Sequence, residues 1–344
     1  MRQKLSPQQK EAIEQFGANT WFVESLYEQF IKNPETIPEQ WKKFFNGETN
    51  GKLDVAALKQ AISGNGVKKE KEEDKDNDKE ELKVIAGSSA RILENMNLSL
   101  SVPTATSQRT IPVKLLEENR IIINQYLAQT ESGKVSFTHL IAYAVVQALN
   151  KFPVMNNGFM EKDRKPHLVV RKEINLGLAI DIERKDGSRS LIVPNIKNAG
   201  ELSFTEFVNK YEDIVKRTRS GQIDPSEFSG TTVTLTNPGT IGTVSSMPRL
   251  MVGQGTIVAT GAIQYPAEYQ AMSQETISTL GISKILNITS TYDHRIIQGA
   301  ESGLFLKEIH ELLLGGNDFY ERIFKALKIP LKPIAWETDI QPGI

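Results

Sequence analysis

Ser290-Thr291-Tyr292-Asp293-His294-Arg295-Ile296-Ile297-Gln298-Gly299 places an imidazole where an apolar-alternating strand gives way to a helix. Ile285, Ile288 and Tyr292 punctuate a hydroxyl-rich strand, and Gly299 leads into a helical run from Ser302 to Leu314. A histidine on such a corner can act as a general base, and the chain has only four histidines in 344 residues. Taken alone, His294 also fits a hydrogen-bonded structural histidine, the commoner use of a lone one.

Composition narrows the classes of function. At 39% hydrophobic and 24% charged residues, the chain can bury a sizeable core across two or three domains. A formal net charge of -1 gives no basic field for nucleic acid or an anionic membrane. There are no cysteines, so disulfides, thiolate nucleophiles and cysteine-based metal sites are excluded, and any thiol chemistry must use a thiol on the substrate. The start has no apolar segment of signal-peptide length, and no run approaches the ~20 apolar residues of a membrane span. A cytoplasmic location is the expectation.

The order of elements is legible from periodicity. Phe22, Val23, Leu26, Tyr27, Phe30 and Ile31 recur at helical spacing until Asn33-Pro34, and a second short helix carries Trp41, Phe44 and Phe45. With a weak third helix (Leu53, Leu58, Ile62) this segment buries too little to fold alone and must dock on something. From Lys68 to Glu81 every residue except Asn77 is charged, which marks a linker. Helices follow at about Val113–Gln129 and, capped by Ser136, to Asn150. Ile174 to Ile182 alternates as a strand, and Lys185-Asp186-Gly187 turns it into a second strand from Ser190 to Ile196. Ser203 with Glu206 forms a capping box for a helix through about Thr218. Strands are expected near 231–236, 255–263 and 283–292. Such irregular alternation argues for helices on one mixed sheet, not a doubly wound parallel fold.

Thr232, Thr234 and Thr236 alternate with Val233 and Leu235, so one strand face carries hydroxyls. That pattern fits a half-solvated strand; it also lets Thr236, last before the Asn237-Pro238-Gly239 turn, offer a hydroxyl to a developing oxyanion. His139 reads as partly buried packing, and His167 and His310 as surface residues. No His/Asp/Glu group has metal-ligand spacing, so no catalytic metal is expected. Asn237 to Gly242 lacks the lysine of a phosphate loop and the dinucleotide pattern, and reads as a turn; Gly253-Gln254-Gly255 reads as a bend. Arg109, Lys114 and Arg120 could meet phosphates, although a solvated helix start explains each.

From about Ala90 to Leu314 the chain resembles the catalytic domain of dihydrolipoyl acyltransferases, the E2 components of 2-oxoacid dehydrogenase complexes. The resemblance rests on Asp293-His294-Arg295 and on Thr234-Leu235-Thr236-Asn237. More narrowly, Val102-Pro103-Thr104-Ala105-Thr106, Leu235 to Thr243 and His294 to Gly299 resemble the fused 2-oxoglutarate dehydrogenases. In these an E2-type succinyltransferase domain precedes a thiamine-dependent E1 module. Phe16-Gly17-Ala18-Asn19-Thr20-Trp21-Phe22, with Tyr27, Asn33-Pro34 and Trp41, is similar to the leader of 2-oxoglutarate dehydrogenase E1 chains. The general pattern has aspartate four residues after the histidine, whereas the motif of the fused subgroup has glutamine there. Here that position is Gln298, which can hold geometry but supplies no carboxylate charge.

The resemblance implies an α/β two-layer sandwich with a chloramphenicol acetyltransferase-like mixed sheet. The expected organisation is an E1-like helical segment over 1–65, a charged linker over 66–88, an acyltransferase domain over 89–316 and, over 317–344, the start of a connection to an E1 module. It further implies succinyl transfer between a lipoyl arm and coenzyme A, with His294 as base, Thr236 as oxyanion donor, and Asp293, Arg295, Asn237 and Gln298 in support. Coenzyme A and lipoamide are substrates, while thiamine diphosphate and magnesium belong to the E1 module, since no Gly-Asp-Gly motif occurs here. Without an Asp-Lys-Ala lipoylation hairpin the lipoyl arm must come from a partner chain, and E1 and E3 components complete the set. A homotrimer with sites between subunits is implied. The alternatives are a catalytically weak trimeric scaffold that organises E1 modules, and an acyltransferase with an alcohol or amine acceptor.

Overall fold

The computed structural model describes residues 16–46, 84–85, 88–183 and 189–335. The weak third helix, the residues between the strands at 184–188 and nearly all of the 66–88 linker lie outside these. The first helices among the described residues are α1 (Thr20–Lys32), α2 (Glu39–Asn46) and α3 (Ser88–Ser99). Next come β1 (Thr104–Pro112), α4 (Lys114–Gln129), α5 (Phe137–Lys151), and a hairpin of β2 (Gly158–Lys162) and β3 (Lys165–Val169). Strands β4 (Leu176–Leu178), β5 (Ile180–Glu183), β6 (Arg189–Ile192) and β7 (Asn195–Ile196) lead to α6 (Phe204–Arg219). Then follow β8 (Val233–Thr236), β9 (Thr256–Thr260), α7 (Gln274–Thr279), β10 (Ile285–Asp293), α8 (Gly299–Leu313) and α9 (Phe319–Ala326).

Six strands form one mixed sheet in the order β1-β10-β9-β8-β4-β7. β10 runs antiparallel to both β1 and β9, β8 is parallel to β9 and β4, and β7 closes the far edge antiparallel. The long stretch read as one strand from Ile174 to Ile182 divides at Ala179. Its first part stays in the main sheet, and β5 leaves to pair with β6 as a separate ribbon. Up to the division the ladder is regular on both sides: Leu178 N–H donates to Pro194 O at 2.8 Å and Ala179 N–H to Leu235 O at 2.9 Å.

The helices form the second layer of this α/β arrangement. In α5, Ser136 Oγ accepts from His139 N–H and Ser136 N–H donates to His139 Nδ1, both at 3.2 Å, which satisfies two amide donors at the helix start. Leu140, Ile141, Val145, Val146 and Leu149 are buried, each contributing roughly 1.5–3 kcal/mol of burial. The Ser203–Glu206 capping box opens α6 as its sequence requires. Helix α8 packs on α5, β1 and β10, and fixes the position of the turn that precedes it.

The N-terminal pair docks on this domain, as its thin apolar face demanded. Asn19 replaces a missing strand neighbour: its amide accepts from Val193 N–H at 2.7 Å and donates to Val193 O at 2.8 Å and Phe228 O at 3.2 Å. Trp41 Nε1–H donates to Ile223 O at 3.0 Å, and Phe22 and Trp41 pack on Phe228.

Candidate functional site

The turn after β10 holds its histidine on the surface of the chain. Asp293 N–H donates to Gly255 O at 3.0 Å, which anchors the end of β10 against the start of β9. Asp293 O in turn accepts from Ile296 N–H and Ile297 N–H at 3.2 and 3.0 Å, and Ile297 is buried. Asp293 is 1% exposed and both of its carboxylate oxygens go to Arg295: Oδ1 accepts from the backbone N–H and Nε–H, Oδ2 from Nη2 at 2.6 Å. His294 lies between these two residues, with its N–H on Pro103 O at 2.9 Å and its exposed ring edge-on to Tyr292 at 5.5 Å. Gln298, also exposed, begins α8, and its N–H donates to Glu301 Oε2 at 2.7 Å.

Thr236 sits at the other end of the sheet. Thr232 and Thr234 are buried, so β8 is not the half-solvated strand its alternation suggested: Thr232 Oγ accepts from Asn175 N–H and Thr234 Oγ donates to Gln254 Oε1 at 2.8 Å. Thr236, the last residue of β8, is half-buried. After it, Asn237 Nδ2 donates to Thr138 Oγ at 2.9 Å, and Pro238–Ile241 makes a single 3-10 turn. Gly239 crosses Gly261 so closely that a Cβ would lie 2.2 Å from Gly261 O, which is why this turn needs glycine.

Register separates the two candidate groups within one chain. Thr236 is level with Ala259 on β9, and Ala259 with Thr289 on β10. From Thr289 to His294 is about 17 Å of extended chain, and two strand spacings add about 10 Å across. His294 and Thr236 of the same chain therefore cannot touch one thioester carbonyl.

The remaining histidines are structural. His139 is 1% exposed; its Nδ1 accepts at the start of α5, so Nε2 carries the proton and meets Glu212 Oε1 at 2.9 Å. Burial holds its pKa below the usual value, against the raising effect of Glu212. His167 is exposed as expected. His310 is not a surface residue: it is half-buried on α8 and its Nδ1 accepts from Arg109 Nε–H at 2.7 Å. Burial and then the Arg109 charge lower its pKa. Arg109 accordingly belongs to β1 and to this contact, and Arg120 lies over the Phe137 ring at 4.0 Å, so neither marks a solvated helix start. Among the described residues no group of three or more His, Asp or Glu is placed to hold a metal, and no helix is long and apolar enough to cross a membrane.

The two-layer α/β core carries a histidine on an exposed strand-to-helix turn and, two strands away at the opposite end of the sheet, a threonine that ends β8. Residues 77–319 match the family of 2-oxoacid dehydrogenase acyltransferases (catalytic domain), and the chain belongs to that family. Residues 15–52 match the 2-oxoglutarate dehydrogenase N-terminus. The multifunctional 2-oxoglutarate metabolism enzyme of Mycolicibacterium vanbaalenii is 44% identical over 94% of this chain and 30% of its own length. That of Mycobacterium sp. (strain JLS) is 56% identical over 74% of this chain and 20% of its own. The chain thus spans less than a third of the length of these relatives. Among solved structures, a probable dihydrolipoamide acetyltransferase from Listeria monocytogenes superposes with a TM-score of 0.57 at 23% identity, over 74% of this chain and 99% of its own. The shared fold is the α/β two-layer sandwich with a mixed sheet that the resemblance implied.

Proposed function

We propose that this chain transfers a succinyl group between a lipoyl arm on a partner protein and coenzyme A, within a 2-oxoglutarate dehydrogenase system. The observation that carries this reading is the order of its parts: a 2-oxoglutarate dehydrogenase N-terminal segment docked through Asn19 and Trp41 onto a 2-oxoacid dehydrogenase acyltransferase domain. The names of the mycobacterial relatives support the succinyl group specifically.

In the reaction, the imidazole of His294 takes the proton of the coenzyme A thiol as its sulfur attacks the thioester carbonyl. Negative charge gathers on the carbonyl oxygen, and a Thr236 hydroxyl donating to it lowers the barrier by roughly 2.7–4 kcal/mol. Collapse expels the lipoyl sulfur, which receives the proton back from the imidazolium. Sulfur exchanges for sulfur, so no oxidant, metal or protein thiol is needed.

Because about 17 Å of strand separates the level of Thr236 from His294 in one chain, the two groups must come from different subunits. An exposed histidine and the exposed Ile241, Val244 and Met247 on the loop after Thr236 both await cover by a neighbouring copy. A homotrimer with the site between subunits meets both requirements. The partners are a lipoyl-bearing chain and the E1 and E3 components.

The test is a coupled assay of succinyl transfer from succinyl-CoA to dihydrolipoamide. The unaltered chain should be active, and His294→Ala should lose at least about a hundredfold in kcat. A trimeric but inactive unaltered chain would leave only the scaffold role, which the exposed, uncharged Gln298 favours.

A further inference from the structure

The chemistry above uses no residue of the β2–β3 hairpin, yet that hairpin brings an aromatic ring against the turn that carries His294. The guanidinium carbon of Arg295 lies 3.7 Å from the centroid of the Phe159 ring. The same guanidinium donates to both oxygens of Asp293. Arg295 is therefore held by a carboxylate edge-on and by a ring face-on, and His294 sits between the paired residues with its own N–H on Pro103 O.

The hairpin is fixed to the same segment that anchors Asp293. Arg171 donates from Nη2 to Gly253 O at 2.5 Å and from Nη1 to Asn156 O at 3.2 Å, while Gly255 O accepts from Asp293 N–H. There is no slack between them: a Cβ on Gly158 would lie 2.6 Å from Gly253 O, and one on Gly255 would lie 2.1 Å from Asn157 O. Ring and turn thus share one rigid support, the bend at Gly253-Gln254-Gly255.

We propose that Phe159 is a positioning residue for acyl transfer, its ring face holding Arg295 so that the Asp293–Arg295 pair fixes the backbone from which the His294 imidazole projects. This rests on His294 being the base. Truncating the ring leaves the ion pair but frees the guanidinium to swing with its backbone, and small displacements of a base cost rate steeply.

The test compares Phe159→Leu, which keeps apolar bulk without a ring face, with Phe159→Tyr, which keeps the face. In the succinyl-transfer assay Phe159→Leu should lower kcat about tenfold with KM for coenzyme A within about twofold, and Phe159→Tyr should restore most of the rate. NMR of the substrate-free protein gives an independent readout. The Arg295 Nε–H resonance, assigned by its loss in Arg295→Lys, should be shifted upfield by the ring current and should move downfield in Phe159→Leu. An unchanged resonance, or a Phe159→Leu kcat equal to that of the unaltered chain, overturns the proposal. An unaltered chain without transfer activity overturns instead the functional reading beneath it, a failure the resonance does not share.

Discussion

Asp293 gives both carboxylate oxygens to Arg295, so it does not orient the imidazole of His294 as the acid of an Asp–His pair; it shapes the turn instead. Buried His139 and half-buried His310 have a different consequence, for stability. His139 and His310 both have folded-state pKa values held below the ordinary value by burial, with the Arg109 cation adding to the effect at His310. Above about pH 6.5 they are neutral in both folded and unfolded chains, and their contribution is fully present. As pH falls below that, the unfolded chain binds protons that the folded chain refuses, and stability drops toward the folded-state pKa values. Urea midpoints should be flat from pH 8 to about 7 and decline below about 6.5. The decline should be shallower in a chain carrying both His139→Gln and His310→Gln, and equal slopes would assign the loss to other groups.

At the scale of elements, the N-terminal pair hangs on a side chain behaving like a strand. Asn19→Ala removes three hydrogen bonds and leaves Val193 N–H, Val193 O and Phe228 O unpaired, a cost of about 1–3 kcal/mol. Undocking should red-shift the fluorescence of Trp21 and Trp41, two of the three tryptophans, and open Thr20–Asn46 to limited proteolysis. An unshifted spectrum would place the hold in the aromatic packing around Phe228. That this segment docks was legible, because two short amphipathic helices cannot cover their own apolar faces. Helices α4, α5, α6 and α8 and strands β8, β9 and β10 were legible too, since period and caps agree there. The β2–β3 hairpin was not: its turn places Asp163 and Arg164 at φ 52° and 59°, without the glycine or asparagine that usually announces it. Nor was β1, whose Thr104–Pro112 sequence is mostly polar and becomes a strand only through its ladder to β10. Of the candidate site, His294 and Thr236 were singled out from the sequence while Phe159 and Pro103 were not, since contacts across more than a hundred residues leave no local signal.

The whole molecule must resolve what one chain leaves apart. Its sheet sets His294 and Thr236 at opposite ends, about 17 Å along the strands and about 10 Å across, so a single copy cannot bring the proposed base and the proposed donor together. In the proposed homotrimer, cyclic assembly brings the two ends together in a head-to-tail contact, one composite site per interface. Chains carrying His294→Ala or Thr236→Ala alone should then be inactive or nearly so, because every interface contains the defect. Co-expressed in equal amounts and assembled at random, the two variants form interfaces in which an intact His294 from one faces an intact Thr236 from the other. About one quarter of all interfaces have this arrangement, and activity should recover to about that fraction of the unaltered protein. Mixing the two after separate purification should give none until subunits exchange. Recovery near zero in the co-expressed protein, with hybrid trimers confirmed by mass, would mean that each chain completes its own site by a rearrangement of the sheet ends, and that the register seen here is not that of the working enzyme.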